Sequence, residues 1–346
     1  MQNITYAENL SLKELPLMIS TLLHISDLPW LNSLEFCTTY VPNPAEYVLL
    51  KRDDRQIHKA IFYRVIKKTI GLRVIEIVGF PDITDEEVTQ LITINKAHLA
   101  TTNRLEPPVK HHEEWHTDKR NVYHKSYITI APLPTSNVEY WNALGKNERK
   151  QLAQYLKKLN EHLDNKVEIR YEFAKEIKFE DVLTLEYLNR ERRLRKGKGV
   201  NSPLEIQERQ RQRWPLTTTF GLLMTFRFEG KIIGGTLNYL YGQKAAMVIV
   251  AHNQEYDPFR LGKLSVWKTM DYLITQGMTA CNFLWGRHLF KTQFLGIEYP
   301  WSIHVISEHQ SLVVLWKATL MFDEFSTRVW RFVKTKARFE DVFLKK

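Results

Sequence analysis

Cysteine is nearly absent: Cys37 and Cys281 are the only two in 346 residues. Two are too few for a disulfide framework or a four-thiolate metal site. Long apolar runs are also missing. No stretch reaches the ~18 residues that a membrane-spanning helix needs, and Lys317 interrupts the longest candidate, Ser311–Phe322. A secretory leader is not expected either, because Glu8, Lys13 and Glu14 stand where a basic patch and an apolar core would be. These absences point to a reducing compartment, with the cytoplasm as the expected location. What is present is ordinary for a packed protein: 44% hydrophobic residues, 12% aromatics and charges of both signs exclude a wholly disordered chain. The length suits about two domains of roughly 100–200 residues each. The one imbalance is a formal charge of +10, which favours an anionic partner without choosing among nucleic acid, membrane surface and phosphate-rich small molecule.

Along the chain, Ser11 opens a capping-box-like start to an N-terminal helix, with apolar residues at helical spacing to Leu23. Strand-like runs at 60–66 and 72–78 flank Gly71, and Asp82–Ile92 reads as a helix whose acidic first turn suits the helix dipole. The Pro-led polar stretch Leu105–His124 reads as loop, 127–131 as a short strand, and Ser136 to about Leu163 as one long helical region. After Asp164 the rhythm starts again: strand 167–173, helix 179–188, the basic run Arg190–Gly199 as a loop, and helix 203–214. Three β-rich runs at 220–228, 231–241 and 245–252, separated by tight turns, predict an antiparallel meander. A helix at 262–276 ends at Gly277, followed by a strand at 280–285, a loop at 286–296 and a strand at 302–307. Beyond these, a basic aromatic helix is expected to about Phe339. No tandem repeat is visible residue by residue, though both halves share a strand-pair-then-helix rhythm.

The loop Asn253–Lys263 leads straight into a helix N-terminus, where free backbone N–H groups make a cradle for pyrophosphate. Gly262 allows close approach, and Arg260 and Lys263 add charge on both sides of Leu261-Gly262. On spacing alone, a plain helix start with basic neighbours is the commoner reading. The segment Asn282-Phe-Leu-Trp-Gly-Arg-His-Leu-Phe-Lys291 adds specificity, because its spacing follows D-x-x-x-G-x-x-x-Y-K. With the basic run, the meander and the Tyr-Asp-Pro turn in the same order, the stretch from Val167 to Trp301 resembles the GNAT acyltransferase domain of the CelD (cellulose-biosynthesis-associated) class, a relative of the Fem peptidyltransferases. Asn282 stands where that pattern has Asp, Phe290 where it has Tyr, and one extra residue precedes Gly296. In the first half, Tyr140-Trp-Asn-Ala-Leu-Gly-Lys-Asn-Glu-Arg149 with Lys150, Lys157 and Lys158 resembles the class more loosely.

The resemblance implies an α/β (α+β) chain of two tandem GNAT-like domains, each a mixed, mostly antiparallel sheet flanked by helices. Residues 1–165 would form the acceptor-side or structural half, and 166–346 the acyltransferase half with its basic C-terminal helix. It implies an N-acyltransferase without a permanent cofactor, moving an acyl group from acyl-CoA or acyl carrier protein to an amine such as an amino sugar or amino acid. Such chemistry needs an unprotonated amine, although alkylamines titrate near ~10, and a donor to the oxyanion as it forms. Arg260, Leu261, Gly262 and Lys263 would hold the donor. Lys291 would face the reacting carbonyl, its bland reading being a surface lysine. His252 ends a strand beside the gap for the donor arm, and the ordinary histidine pKa suits a general base; the plainer reading is a strand-end histidine facing solvent. Arg195, Trp285, Arg287 and His116 are the acceptor-side candidates. The arginines at 190–195 and 209–213 suit phosphate or a solvated helix face, but their i, i+2, i+4 spacing is poor for reading a nucleic-acid groove.

Rival readings stay open at this level. His112-Glu-Glu-Trp-His116 matches the zinc-protease pattern H-E-x-x-H, but polar and charged neighbours and the lack of a third ligand favour a surface or cleft-lining loop, and no metal is expected. The C-terminal helix packs on its domain or meets an anionic membrane at the inner face. A Fem-like aminoacyl-tRNA-dependent transferase is the second enzymatic reading, although no long helical hairpin for tRNA is visible. The Asn282 and Phe290 departures motivate a third, a non-catalytic binding protein on the same fold.

Overall fold

The computed structural model describes residues 6–11, 45–52, 57–67, 71–80, 83–109 and 122–319. Strands β1 (Tyr6–Ser11), β2 (Tyr47–Arg52), β3 (Ile57–Lys67) and β4 (Arg73–Ile77) precede helix α1 (Asp85–Ile94) and strand β5 (Leu99–Leu105). Then come β6 (Val122–Pro132), α2 (Asn137–Ala143), α3 (Lys146–His162), β7 (Val167–Phe173), α4 (Phe179–Arg195) and α5 (Pro203–Phe220). The meander follows as β8 (Gly221–Phe228), β9 (Lys231–Tyr241) and β10 (Lys244–His252), with a 3-10 turn at Gln254–Phe259. Helix α6 (Leu261–Thr275), β11 (Ala280–Trp285), α7 (Leu289–Gln293) and β12 (Ile297–Ile306) complete the named elements. Ser11, expected to open a helix, ends strand β1 instead; the rest of that expected helix, Cys37, the H-E-x-x-H stretch with His116, and the C-terminal helix beyond residue 319 lie outside the described residues.

Local chemistry sets the helix boundaries. Thr84 and Glu87 close a capping box on α1, and Ser202 and Glu205 close another on α5 behind Pro203. The single helix expected from Ser136 to Leu163 is two helices, because Leu144 and Gly145 adopt extended ψ values of 143° and 142° and break the hydrogen-bond ladder. The basic run is not a loop from Arg190. Helix α4 carries it to Arg195, and the chain turns only at Gly197, with φ 62°. The expected 286–296 loop contains α7, and the last expected strand is longer, starting at Ile297.

The twelve strands among the described residues belong to one mixed sheet, ordered β1-β2-β3-β4-β5-β12-β6-β11-β10-β9-β8-β7 and flanked by helices. The same unit occurs twice in it. Strands β2, β3 and β4 form an antiparallel meander, α1 follows, and β5 returns parallel to β4. Strands β8, β9 and β10 repeat the meander, α6 follows, and β11 returns parallel to β10. The strand after each unit then crosses over: β6 pairs with β11, β12 pairs with β5, and β6 and β12 pair with each other. Strands from both sides of residue 165 therefore alternate at the centre of the sheet.

The two faces of the second unit are covered by different helices. Val182, Leu185 and Leu216 of α4 and α5 pack on Leu223, Leu237 and Ala246 from one side. Tyr140, Leu152, Leu264, Val266 and Met270 of α2, α3 and α6 cover the other, on Leu222, Met224 and Met247. At Gly235, in the middle of β9, a Cβ would stand 2.1 Å from the Met224 carbonyl oxygen. Gly235→Ala is therefore expected to lower urea stability by ~1–3 kcal/mol. Gly199→Ala, in open space, is expected to stay within ~0.5 kcal/mol of the parent; equal urea midpoints for the two variants would contradict this packing.

Candidate active site

The site begins where two parallel strands part. β10 and β11 pair through Lys244–Ala280, Ala245–Cys281 and Ala246–Asn282, and there the pairing stops, although β10 runs on to His252 and β11 to Trp285. Both strands shift register at this point, β10 against β9 between Met247 and Ile249, and β11 against β6 between Asn282 and Trp285. A bulge bends its strand and re-aims its backbone groups. Beyond Ala246, the β11-facing edge of β10 has no strand partner among the described residues. The opening lies between the meander's last strand and the strand after the helix.

The N-terminus of α6 lies just beyond the open end of β10. Arg260 precedes it in the left-handed region, with φ 50° and ψ 40°; no side chain caps the helix and no acid occupies its first turn. The N–H groups of Lys263 and Leu264 bond to the Arg260 carbonyl at 2.8 and 3.2 Å, so those of Leu261 and Gly262 are left without an intrahelical acceptor. Gly262 is required by its neighbour: a Cβ there would sit 3.0 Å from His252 Nδ1. Lys263 turns away. Its Nζ lies 2.8 and 3.1 Å from the two carboxylate oxygens of Glu148 on α3, which neutralise its charge.

His252 closes the same end. Its Nε2 lies 2.7 Å from Asp257 Oδ1, and Arg195 Nη1 donates to Asp257 Oδ2 at 2.8 Å. Burial alone would raise the Asp257 pKa, but the bonds from Arg195 and His252 outweigh it and hold the carboxyl below its usual range. Burial lowers the His252 pKa against the pull of Asp257, assisted by the Arg192 and Arg195 charges. The imidazole is thus neutral near pH 7. Its Nδ1 is buried with no hydrogen-bond partner among the described residues, and it is the atom left to accept a proton. Positive charge also gathers across the opening: after burial, Lys291, Lys198, Lys196 and Arg192 are what lower His288.

Lys291 is 3% exposed. Its Nζ donates to the carbonyls of Leu284, Trp285 and Gly286 at 3.1, 2.7 and 3.0 Å. An ammonium has three donors, so none is left for an oxyanion, and the role expected from the resemblance does not fit these contacts. Lys291 instead braces the strained end of β11, where Leu284 has φ 56° and its N–H bonds Asn282 Oδ1 at 2.8 Å. Asn282 accepts that bond as an aspartate would. Phe290 packs edge-on to Phe283 at 6.3 Å. Arg287 is also committed, with Nε 2.6 Å from buried Glu298 and its guanidinium over the Tyr127 ring. Trp285, 41% exposed, forms an aromatic cluster with Phe80 and Trp301, at centroid distances of 5.7 and 5.6 Å. The structure therefore brings His252, Arg195, Arg260, Leu261 and Gly262 together, sets Lys291, Arg287 and Trp285 along the β11 end, and ties Lys263 to α3.

Residues 146–292 match the sequence profile of the acetyltransferase (GNAT) domain family. This stretch is thus similar to a GNAT acetyltransferase domain. It holds the parted strands, α6 and the 282–291 segment, together with α4 and α5. The solved structure of FemX shares the fold of this chain, with 12% identity, 78% of this chain and 90% of that one covered, and a TM-score of 0.55. A tandem GNAT protein from the clavulanic acid biosynthesis pathway aligns at 9% identity over 88% of this chain and 98% of its own, with a TM-score of 0.47. L-PGS from Bacillus licheniformis aligns at 12% identity over 74% and 83%, with a TM-score of 0.45. The fold assignment rests on the first of these. No curated protein sequence matches the chain.

Sequence reading passed over Asp257, Glu148 and Glu186 in this stretch. Glu186 had a signal, since it sits four residues after Val182 on the apolar face of α4 and is itself 5% exposed. The other two are recognisable only from their partners across the fold. The Lys291 brace carries a pH signature. Burial lowers its pKa from 10.5 to about 8, against the opposing charge of Glu298. Between those values the unfolded chain holds a proton that the folded chain has released, so the group adds stability as pH rises through the window and loses it as pH falls toward 8. Urea titrations of the parent and Lys291→Met at pH 8, 9 and 10 are expected to diverge with rising pH by at most ~1.4 kcal/mol per unit; parallel pH curves would refute it.

Proposed function

We propose that the chain is an N-acyltransferase that moves an acyl group from a thioester donor, acyl-CoA or acyl carrier protein, to an amine acceptor such as an amino sugar or amino acid. The observation that carries this reading is the uncapped N-terminus of α6 at the open end of the parted strands β10 and β11. The donor's phosphates bind the Leu261 and Gly262 N–H groups, with Arg260 beside them, while Lys263 holds the helix to α3. The amide-bearing arm lies along the open edge of β10 and pairs with it as a strand would, which brings the thioester to the bulge at Val248. There, backbone N–H groups released from the ladder polarise the carbonyl. The amine nitrogen bonds to the acyl carbon, the C–S bond breaks, and the amine's proton leaves toward the thiolate. His252, oriented by Asp257, lies four residues along β10 from the bulge, ~13 Å at ~3.3 Å per residue, and serves as the candidate base only through a chain of waters; Lys291 is a positioning residue.

We also assign the chain to the CelD-like class on the strength of the 282–291 segment, with the division at residue 165 separating a structural half from the transferring half. Location in the cytoplasm follows the same reading; no helix among the described residues is long and apolar enough to cross a membrane.

Titration calorimetry with acyl-CoAs of increasing chain length and with acyl carrier protein tests the proposal. Binding of at least one donor is expected, and silence across the whole series would discard it. Gly262→Val, which drives side-chain atoms into His252 and over the N–H cradle, is expected to weaken the donor at least tenfold while the thermal midpoint stays within ~4 °C.

A further inference from the structure

The face of the sheet opposite α6 holds two adjoining cavities of about 190 and 160 Å³, walled by α4 and α5. Glu186, Asn189 and Arg209 line both. The outer cavity adds Arg190 and Arg193, and the inner one adds Arg213 and reaches Val248 and Ile249 at the β10 bulge. The hollow thus runs from a basic entrance to the point where β10 and β11 part. Arg190 and Arg193 each give one bond to a neutral carbonyl, of Asn201 at 3.1 Å and Gly199 at 3.1 Å, and a carbonyl cancels no charge. Glu186 is the one carboxylate in the lining. Its Oε1 takes bonds from Arg209 at 2.9 Å and Gln210 at 2.5 Å, and its Oε2 makes no hydrogen bond among the described residues. The Glu186 side chain is 6% exposed, and its Oε2 keeps acceptor capacity for a donor brought by a ligand.

We propose that this hollow is the acceptor pocket and that the acceptor is an amine bearing an oxyanionic group, a carboxylate or a phosphate. The arginines hold the oxyanion, and Glu186 Oε2 receives the ammonium, which releases one proton to solvent before the neutral nitrogen turns toward the Val248 bulge. The assignment rests on the acyltransferase reading, but its test does not. Arginines of the intact protein are labelled with phenylglyoxal and quantified by peptide mass spectrometry, with exposed Arg211 as the internal reference. Inorganic phosphate and malonate are the amine-free probes; phosphoethanolamine and β-alanine are their amine-bearing counterparts.

At least threefold protection of Arg190, Arg209 and Arg213, with Arg211 unprotected, is expected from one of the amine-free anions. The anion that protects at lower concentration distinguishes a phosphorylated from a carboxylated acceptor. The amine-bearing counterpart is expected to protect at least tenfold more strongly, an advantage that Glu186→Gln removes while the amine-free anion still protects. Labels that fall no further than at Arg211 would overturn the pocket, and an amine that adds nothing to the wild-type protein would overturn its use for acceptors. Protection of Arg260 by acetyl-CoA is read in the same digests. Its failure alone tells against the donor reading and leaves the pocket standing.

Discussion

Backbone hydrogen bonding is the constraint from which the site follows. Two parallel strands that separate within a sheet expose N–H and C=O groups that the rest of the protein must satisfy or a ligand must complete. In this chain the two sides of the opening are treated differently. Along β11 the carbonyls of Leu284, Trp285 and Gly286 are gathered by the Lys291 ammonium, and the Leu284 N–H by Asn282. Along β10 the edge beyond Ala246 is left open. One wall is therefore fixed from within the protein while the other keeps its pairing capacity.

The repeated unit shows the same asymmetry at the helix ends. Helix α1 begins behind Thr84 with Asp85, Glu86 and Glu87 in its first turn and a completed capping box, so its positive end is both capped and neutralised. The equivalent helix α6 begins behind a left-handed Arg260, uncapped and without an acid. The repeated unit has two helix starts of one kind, and side-chain chemistry closes the first to anions. This also limits what the overall charge can mean. Part of the positive excess faces the opening from α4 and α7, yet Lys263 and Arg287 are paired with Glu148 and Glu298 and offer a ligand little.

Much of this architecture was legible in the residues. The meander, α6 with its terminal Gly277, and β11 follow from apolar alternation and turn chemistry and match the observed boundaries closely. The resemblance carried by residues 282–291 led to the correct domain fold. What stayed hidden is non-local. Nothing near Lys263 announces Glu148, 115 residues earlier, and nothing near Lys291 says that three carbonyls surround it. The i, i+2, i+4 spacing of Arg209, Arg211 and Arg213 gives no single helix face, and the structure agrees in part: Arg209 and Arg213, one turn apart, line the hollow while Arg211 is exposed.

The crossing of β6 and β12 has a consequence for how the chain reaches this state. Strand β5 pairs on one side with β12, and the register Trp301–Leu105 joins residues roughly 200 positions apart. The first meander thus keeps an unfinished edge throughout synthesis of the second and is completed only when β12 emerges from the ribosome. Contacts of such separation slow folding and leave partly built sheets exposed to wrong partners. The two halves are accordingly one cooperative unit in assembly, and cutting the chain between them would yield two fragments that each lack the strand needed to close its sheet.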